Sequence, residues 1–133
     1  MKLRIKGNTI RYRLTKAEVE QLKTYGEVSE QISFGPGKDA SQTLRYTIQQ
    51  NRELEAIGIS FIKGEVCVEL PRDIFKGFTE TEQVSLQNDP WPGATQTVFI
   101  LVEKDFQCLH KRPNEDETDH YQHPLAEENP IQL

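Results

Sequence analysis

Four basic side chains on two neighbouring runs of the chain are the first group that could do chemistry. Residues 2–6 and 9–14 alternate between polar and apolar side chains, with Gly7 and Asn8 between them. This pattern predicts a β-hairpin with one buried and one solvated face. Cations on such a face stand within several Å of each other, so a phosphate or carboxylate would relieve their repulsion. These cations are Arg4, Lys6, Arg11 and Arg13, with Lys2 and Lys16 nearby.

Two interpretations of this basic face stay open. It suits an anionic partner, which could be a phosphorylated ligand, an acidic protein surface, a nucleic-acid backbone or the chain's own acidic end. It also suits a solvated strand whose charges discourage pairing with another chain. The corresponding face of a later hairpin carries Glu65, Cys67 and Glu69, so the basic patch belongs to one half only. DNA-binding dimers usually present both halves alike, and nucleic acid is therefore the less favoured partner.

A second group with possible chemistry lies near the C-terminal end, where all three histidines of the chain are found. Cys-x-His and His-x-x-His spacings bring metal ligands close together, and nearby acids could complete a site for zinc or a similar ion. The spacing lacks a Cys-x-x-Cys pair and matches no established zinc pattern, so a solvated acidic tail explains it as well. The candidate ligands are Cys108, His110, Asp116, Asp119, His120 and His123.

Other motifs give little support for catalysis. The chain has neither a phosphate-binding Gly-rich loop nor a Gly-x-Ser-x-Gly elbow. On a strand, Cys108 and His110 would stand about 7 Å apart, which is long for a nucleophile and its base. Trp91 lies in a rigid loop between two prolines, where it could anchor a partner but more simply plugs one end of the fold. We therefore expect a binding protein rather than an enzyme, and no cofactor.

The length of the chain and its charge limit the classes of protein to which it can belong. A chain of 133 residues with net charge −5 predicts one domain, at residues 1–109, followed by a loosely ordered acidic tail at 110–133. Cations concentrate in residues 1–25 and acids in residues 103–133. No apolar run is long enough to cross a membrane, and the alternating start does not have the pattern of a signal peptide. We expect a cytoplasmic monomer or homodimer with reduced cysteines.

A spacing of 56 residues relates two segments of the chain and predicts the fold. A unit of this kind cannot bury its apolar face alone. The pattern predicts an internal repeat at roughly residues 1–50 and 56–103, an α+β fold that is mostly β, and two β-β-α-β-β units. The units would close into a small pseudo-symmetric barrel or pack as two sheets. The matching pairs are Ile10 and Val66, Leu14 and Leu70, Val19 and Phe75, Leu22 and Phe78, and Val28 and Val84.

Local signals set the expected elements of each unit. Thr15 followed by Glu18 is a capping box, and Gly26 is a helix stop. These signals predict a helix at residues 16–24. Pro71 suits the first turn of a second helix that ends near Gly77. The expected strands are residues 2–6, 9–14, 28–34, 43–49, 57–62, 65–70, 83–87 and 97–102.

Both ends of the chain resemble a family of small uncharacterised bacterial proteins. The resemblance rests on the opening residues 1–8, on Arg13-Leu14-Thr15, and on the later stretch from Val102 to Glu117 that includes Arg112-Pro113. It implies a bacterial protein and no particular activity.

A shorter resemblance concerns the middle of the chain. The run Val66-Cys67-Val68-Glu69-Leu70-Pro71-Arg72-Asp73-Ile74, ending near Phe78, is similar to the strand-Pro-basic-helix segment of AbrB-type regulators. This resemblance implies a swapped-hairpin barrel and DNA binding by a dimer. Two copies in one chain depart from that pattern, and a shared fold does not establish a shared function.

Overall fold

The computed structural model describes residues 1–36, 40–90 and 97–105. In these residues, eight strands and two α-helices form two β-β-α-β-β units. The first unit consists of β1 (Lys2–Lys6), β2 (Thr9–Leu14), α1 (Lys16–Tyr25), β3 (Glu27–Ser33) and β4 (Thr43–Gln50), with a 3-10 turn at Ala40–Gln42. The second unit consists of β5 (Gly58–Ile62), β6 (Glu65–Leu70), α2 (Arg72–Glu80), β7 (Ser85–Gln87) and β8 (Phe99–Lys104). This element order confirms the predicted fold class.

The two units exchange their hairpins. The first sheet, called sheet A, has the strand order β1-β2-β8-β7, and the second, sheet B, has the order β3-β4-β6-β5. In each sheet the central pair is parallel and joins strands from different units. Equivalent backbone hydrogen bonds close the two pairs, since Asp105 N–H donates to Leu14 O at 2.7 Å and Asn51 N–H to Leu70 O at 2.9 Å. Neither unit therefore completes a sheet without the other.

The inner faces of the two sheets share one core. Alternate residues of β2 and β8 are buried, as period-two patterning requires. β4 and β6 contribute Ile48, Val68 and Leu70 to the same core, and Thr47 and Cys67 are buried as well. Tyr12 is fully buried, and its hydroxyl donates to Val66 O of the other sheet at 3.3 Å. In the described part of the chain the strands form two separate sheets and not a closed barrel. Of the two predicted architectures, packed sheets is the one that forms.

The helices follow from local signals and from burial. α1 begins at the Thr15 cap, where the Glu18 N–H donates to Thr15 Oγ1 at 3.2 Å and the Thr15 N–H donates to Glu18 Oε1 at 2.8 Å. It ends at Gly26, whose φ of 81° favours glycine. α2 continues to Glu80, three residues past the predicted end, because burial of Phe78 holds its last turn against the core. None of the described helices is long and apolar enough to cross a membrane.

One predicted pair of equivalent residues is wrong. Val84 is 53% exposed and precedes β7, whereas Leu86 is buried like Val28. Leu86 pairs with Val102 of β8 as Val28 pairs with Ile48 of β4. The connection after α2 spans residues 81–84, while Gly26 alone joins α1 to β3. This longer connection moves the equivalent position by two residues.

Candidate functional site

The outer face of sheet A collects the predicted basic side chains. Register places Arg4 opposite Arg11 and Lys2 opposite Arg13 on the hairpin. The alternate residues Ile10, Tyr12 and Leu14 are buried in the core, so the cations point to the other side of the sheet. β8 lies beside β2 and brings Glu103 opposite Arg13. This face, called the basic face, consists of Lys2, Arg4, Lys6, Arg11, Arg13 and Glu103.

Glu103 binds two of the arginines. Its Oε1 accepts hydrogen bonds from Arg11 Nη2 at 2.5 Å and Nε at 2.9 Å. The same oxygen accepts from Arg13 Nη2 at 3.1 Å and Nε at 3.2 Å. Burial by itself would raise the pKa of Glu103, but hydrogen bonds and charge attraction from the two guanidinium groups outweigh it and lower the pKa. Glu103 therefore stays ionised and acts as an internal anion on β8, at the side of the basic face next to β2.

A cleft of about 550 Å³ connects the basic face to apolar walls. Arg4, Arg11 and Arg13 line it together with Tyr46. The Tyr46 hydroxyl donates a hydrogen bond to Glu30 Oε1 at 3.3 Å. Guanidinium groups beside an apolar wall suit an anionic group carried on an apolar stem. The remaining lining residues are Met1, Lys2, Leu3, Ile32 and Leu44.

Lys16 belongs to a different surface. It is the first residue of α1 and lines a groove with Glu20, Glu82 and Lys104 beside the end of α2. The Lys104 ammonium in this groove lies 5.2 Å from the centre of the Phe78 ring and donates to Thr81 O at 2.9 Å. Burial lowers the pKa of Lys104. The structure therefore separates Lys16 from the basic face that the sequence suggested it lay near.

The equivalent face of sheet B has a different character. Arg45 pairs with Glu65 at 3.3 Å, and Gln49 Nε2 donates to Glu69 at 3.0 Å. Cys67 lies between the two glutamates and is buried. Burial first, and then the charges of Glu69 and Glu65, raise the pKa of the Cys67 thiol to about 12. The thiol is therefore protonated at neutral pH, and little of the nucleophilic thiolate is present.

The predicted metal ligands and Trp91 lie outside the described residues. Cys108, His110, Asp116, Asp119, His120 and His123 all follow Asp105, the last described position. Within residues 1–36, 40–90 and 97–105, no three His, Cys, Asp or Glu side chains are grouped so as to hold a metal ion. The metal site remains a sequence prediction.

Sequence reasoning missed the role of Glu103. In the sequence Glu103 groups with the acids of residues 103–133, although it is an integral part of β8. The Arg11 and Glu103 positions are 92 residues apart and meet only because β2 and β8 pair in parallel. No local pattern predicts such a contact. The charged residues Glu103 and Lys104 at the end of the apolar strand were a weak signal that this end meets other charges.

The fold and the site together define a two-sheet α+β protein. Its halves exchange hairpins, and the outer face of sheet A is basic. The chain belongs to a family of unknown function, DUF7009, whose model matches residues 1–125. The resemblance to an uncharacterised family is thereby confirmed. No curated protein matches the chain. No solved structure matches it either.

Proposed function

We propose that this protein acts by binding, and that the basic face receives a partner bearing carboxylate or phosphate groups. Five cations share this face with one carboxylate, Glu103. All three arginines of the face also line the cleft, which offers both charge and apolar surface to one ligand. Electrostatic attraction would guide such a partner to the face and hold it there. The proposed activity needs no bond-breaking step.

The observation that carries this proposal is the sharing of one carboxylate oxygen by two arginines. Glu103 Oε1 engages Nε and Nη2 of both Arg11 and Arg13. A guanidinium offers five N–H donors in a fixed fork. The basic face thus already holds one carboxylate, through a single oxygen that accepts from both guanidinium groups. An external anion with more oxygens would use the same donors and could displace Glu103.

Binding measurements with three probes test the proposal. Inorganic phosphate, a glutamate-rich peptide and a short DNA duplex are titrated by calorimetry at about 50 mM and about 200 mM salt. We expect phosphate or the peptide to bind, and Arg11→Gln with Arg13→Gln to weaken binding at least about tenfold. Arg45→Gln, which removes one cation from the sheet B face, is the control and should leave binding unchanged. Absence of binding by all three probes at low salt would contradict the proposal.

A gain of binding gives a second test. Glu103→Gln removes the internal anion, so phosphate or the peptide should bind several-fold more tightly, on the order of 1 kcal/mol. Glu69→Gln makes the same change of net charge on the opposite face and is the matched control. Equal tightening in both variants would mean that only overall charge matters, which contradicts a local site.

DNA binding of the AbrB type is the second candidate. The exchange of hairpins between the two units favours it, because that arrangement is what the resemblance implies. The two outer faces differ, however, since Glu65 and Glu69 stand on β6 where β2 has Thr9 and Arg13. Tight binding of the duplex that weakens steeply with salt would support this alternative over the first.

A further inference from the structure

The four edge strands of the described sheets are not protected equally. β1 carries Lys2, Arg4 and Lys6, and β3 carries Glu27 and Glu30. β7 is only three residues long. Charge and shortness are two ways in which proteins keep sheet edges from pairing with other chains. β5, with the sequence Gly-Ile-Ser-Phe-Ile, has neither.

Large apolar side chains are exposed on this unprotected strand. Phe61 is 69% exposed and Ile62 is 63% exposed. The equivalent strand of the other unit is β1, because Arg4 lies opposite Arg11 as Ser60 lies opposite Cys67. Where β1 has three cations, β5 has Gly58, Ser60 and Ile62. The two halves of the fold therefore differ in whether their outer hairpin strand repels a second strand.

The hydrogen-bond pattern shows which groups of β5 are available for pairing. On the side of β6 that faces β4, Gly64 O accepts a hydrogen bond from Arg45 N–H, and Leu70 O accepts one from Asn51 N–H. The odd-numbered residues of β6 therefore face β5, and they pair with Gly58, Ser60 and Ile62. The N–H and C=O groups of Ile59 and Phe61 must then point away from β6. No other strand in the described part of the chain pairs with this edge.

We propose that β5 pairs antiparallel with β5 of a second copy of this chain, centred on Ser60. In this register Ile59 of each copy lies opposite Phe61 of the other, and all four outward groups of each strand form hydrogen bonds. A register centred on Phe61 would instead place Ile59 opposite Lys63. Lys63 is a turn residue with φ 52°, so the hydrogen bonds of Ile59 would be lost. Ile62 lies opposite Gly58, which has no side chain to obstruct it.

Charge also favours a second copy as the occupant. The five residues of β5 bring no like charges together, whereas self-pairing of β1 would bring six cations together. At each end of the paired strands, the turn residue Lys63 of one copy comes near the segment that precedes β5 in the other copy, which carries Glu55. Opposite charges near cross-strand positions stabilise a pair. The result is one eight-stranded sheet with a twofold axis, which closes and does not extend further.

Sedimentation velocity tests this dimer in reducing buffer over about 5 to about 500 µM protein, because an edge pair alone is smaller than a standard interface. We expect a shift from monomer to dimer with rising concentration. Phe61→Lys places a charge on the edge and Phe61→Pro removes an outward N–H donor, and each should keep the protein monomeric. Ile5→Lys, at the equivalent position of β1, is the control and should still dimerise. A wild-type monomer at every concentration overturns the proposal, as does a dimer that both Phe61 variants retain.

Cross-linking tests the register and does not depend on the Phe61 variants folding. Both native cysteines are replaced by alanine, and Ser60→Cys is then oxidised. Residue 60 of one copy would lie opposite residue 60 of the other in a non-hydrogen-bonded pair. The Cα atoms of such a pair are about 4.5 Å apart, a distance that a disulfide can bridge. We expect a disulfide-linked dimer from Ser60→Cys and none from Arg4→Cys, the equivalent position of β1. Equal cross-linking of both variants, or of neither, overturns the proposed register.

Discussion

Glu103 joins two arginines that would otherwise repel each other at the edge of the core. Its carboxylate is only partly exposed, and the hydrogen bonds from Arg11 and Arg13 reach it from the adjacent strand. Because these bonds lower its pKa below the ordinary value of 4.5, the ionised form is preferred more strongly in the folded protein than in the unfolded chain. The ion pairs of Glu103 with Arg11 and Arg13 therefore make the stability of the folded protein depend on pH.

Stability should depend on pH through this residue. The contribution of Glu103 is fully present above about pH 4.5 and is lost as pH falls through the lowered folded-state pKa, because protonation then favours the unfolded chain. Glu103→Gln should thus reduce the free energy of unfolding by about 0.5–1 kcal/mol near neutral pH, with the difference shrinking in acid. Urea unfolding of both proteins at several pH values measures this. A difference that is the same at every pH would contradict it.

At the scale of single elements, α1 shows how local chemistry sets a boundary. The Thr15 hydroxyl and the Glu18 carboxylate satisfy backbone donors that the first turn of a helix leaves unpaired. α2 has no side-chain cap at Pro71, and its position depends instead on buried Phe75 and Phe78. The two equivalent helices are therefore stabilised at their starts by different means.

Thr15→Ala should lower the free energy of unfolding by about 1 kcal/mol, because the capping hydrogen bond is lost. Thr24→Ala changes the same residue type on an exposed position of α1 and is the control. That change should be neutral or slightly stabilising, since alanine is the better helix former. Thermal or urea unfolding compares the two variants. Equal effects would show that the cap contributes nothing specific.

At the scale of the whole molecule, the exchange of hairpins makes the two units depend on each other. β2 has its parallel partner β8 in the second unit, and β4 has β6 there. A single unit would therefore have two strand pairs, each with an open edge and an exposed apolar face. The shared core, with Tyr12 bonded to Val66 across the sheets, exists only when both units are present.

A chain divided between Arg52 and Glu53, two exposed residues between β4 and β5, tests this dependence. We expect neither fragment to be a folded monomer by circular dichroism and size exclusion. An equimolar mixture should recover the spectrum of the intact chain, because each fragment supplies the strands that the other lacks. A first fragment that folds alone as a monomer would show that the units are independent.

Local patterns in the chain were enough to determine most of its elements. Alternation in residues 2–14 predicted the first hairpin and its basic face, and the Thr15–Glu18 spacing predicted the start of α1. These predictions succeed because each depends on residues a few positions apart, whose geometry is set by the period of a strand or a helix. The packing of two β-β-α-β-β units followed from the 56-residue spacing of apolar positions.

Only the tertiary structure decided which strands lie side by side. The pairing of β2 with β8 brings Glu103 to Arg11 and Arg13. Of the two architectures that the sequence left open, the described strands form two packed sheets and not a closed barrel. The longer connection after α2 and the pairing of β7 with β8 place Leu86 rather than Val84 in the core position equivalent to Val28. The pairing of β2 with β8 joins segments about 90 residues apart, and it is selected by the joint burial of several apolar faces. Periodicity within one segment contains no information about its distant partner. The tertiary structure alone therefore shows the counter-ion of the basic face, and it alone shows the edge of β5 with which no described strand pairs.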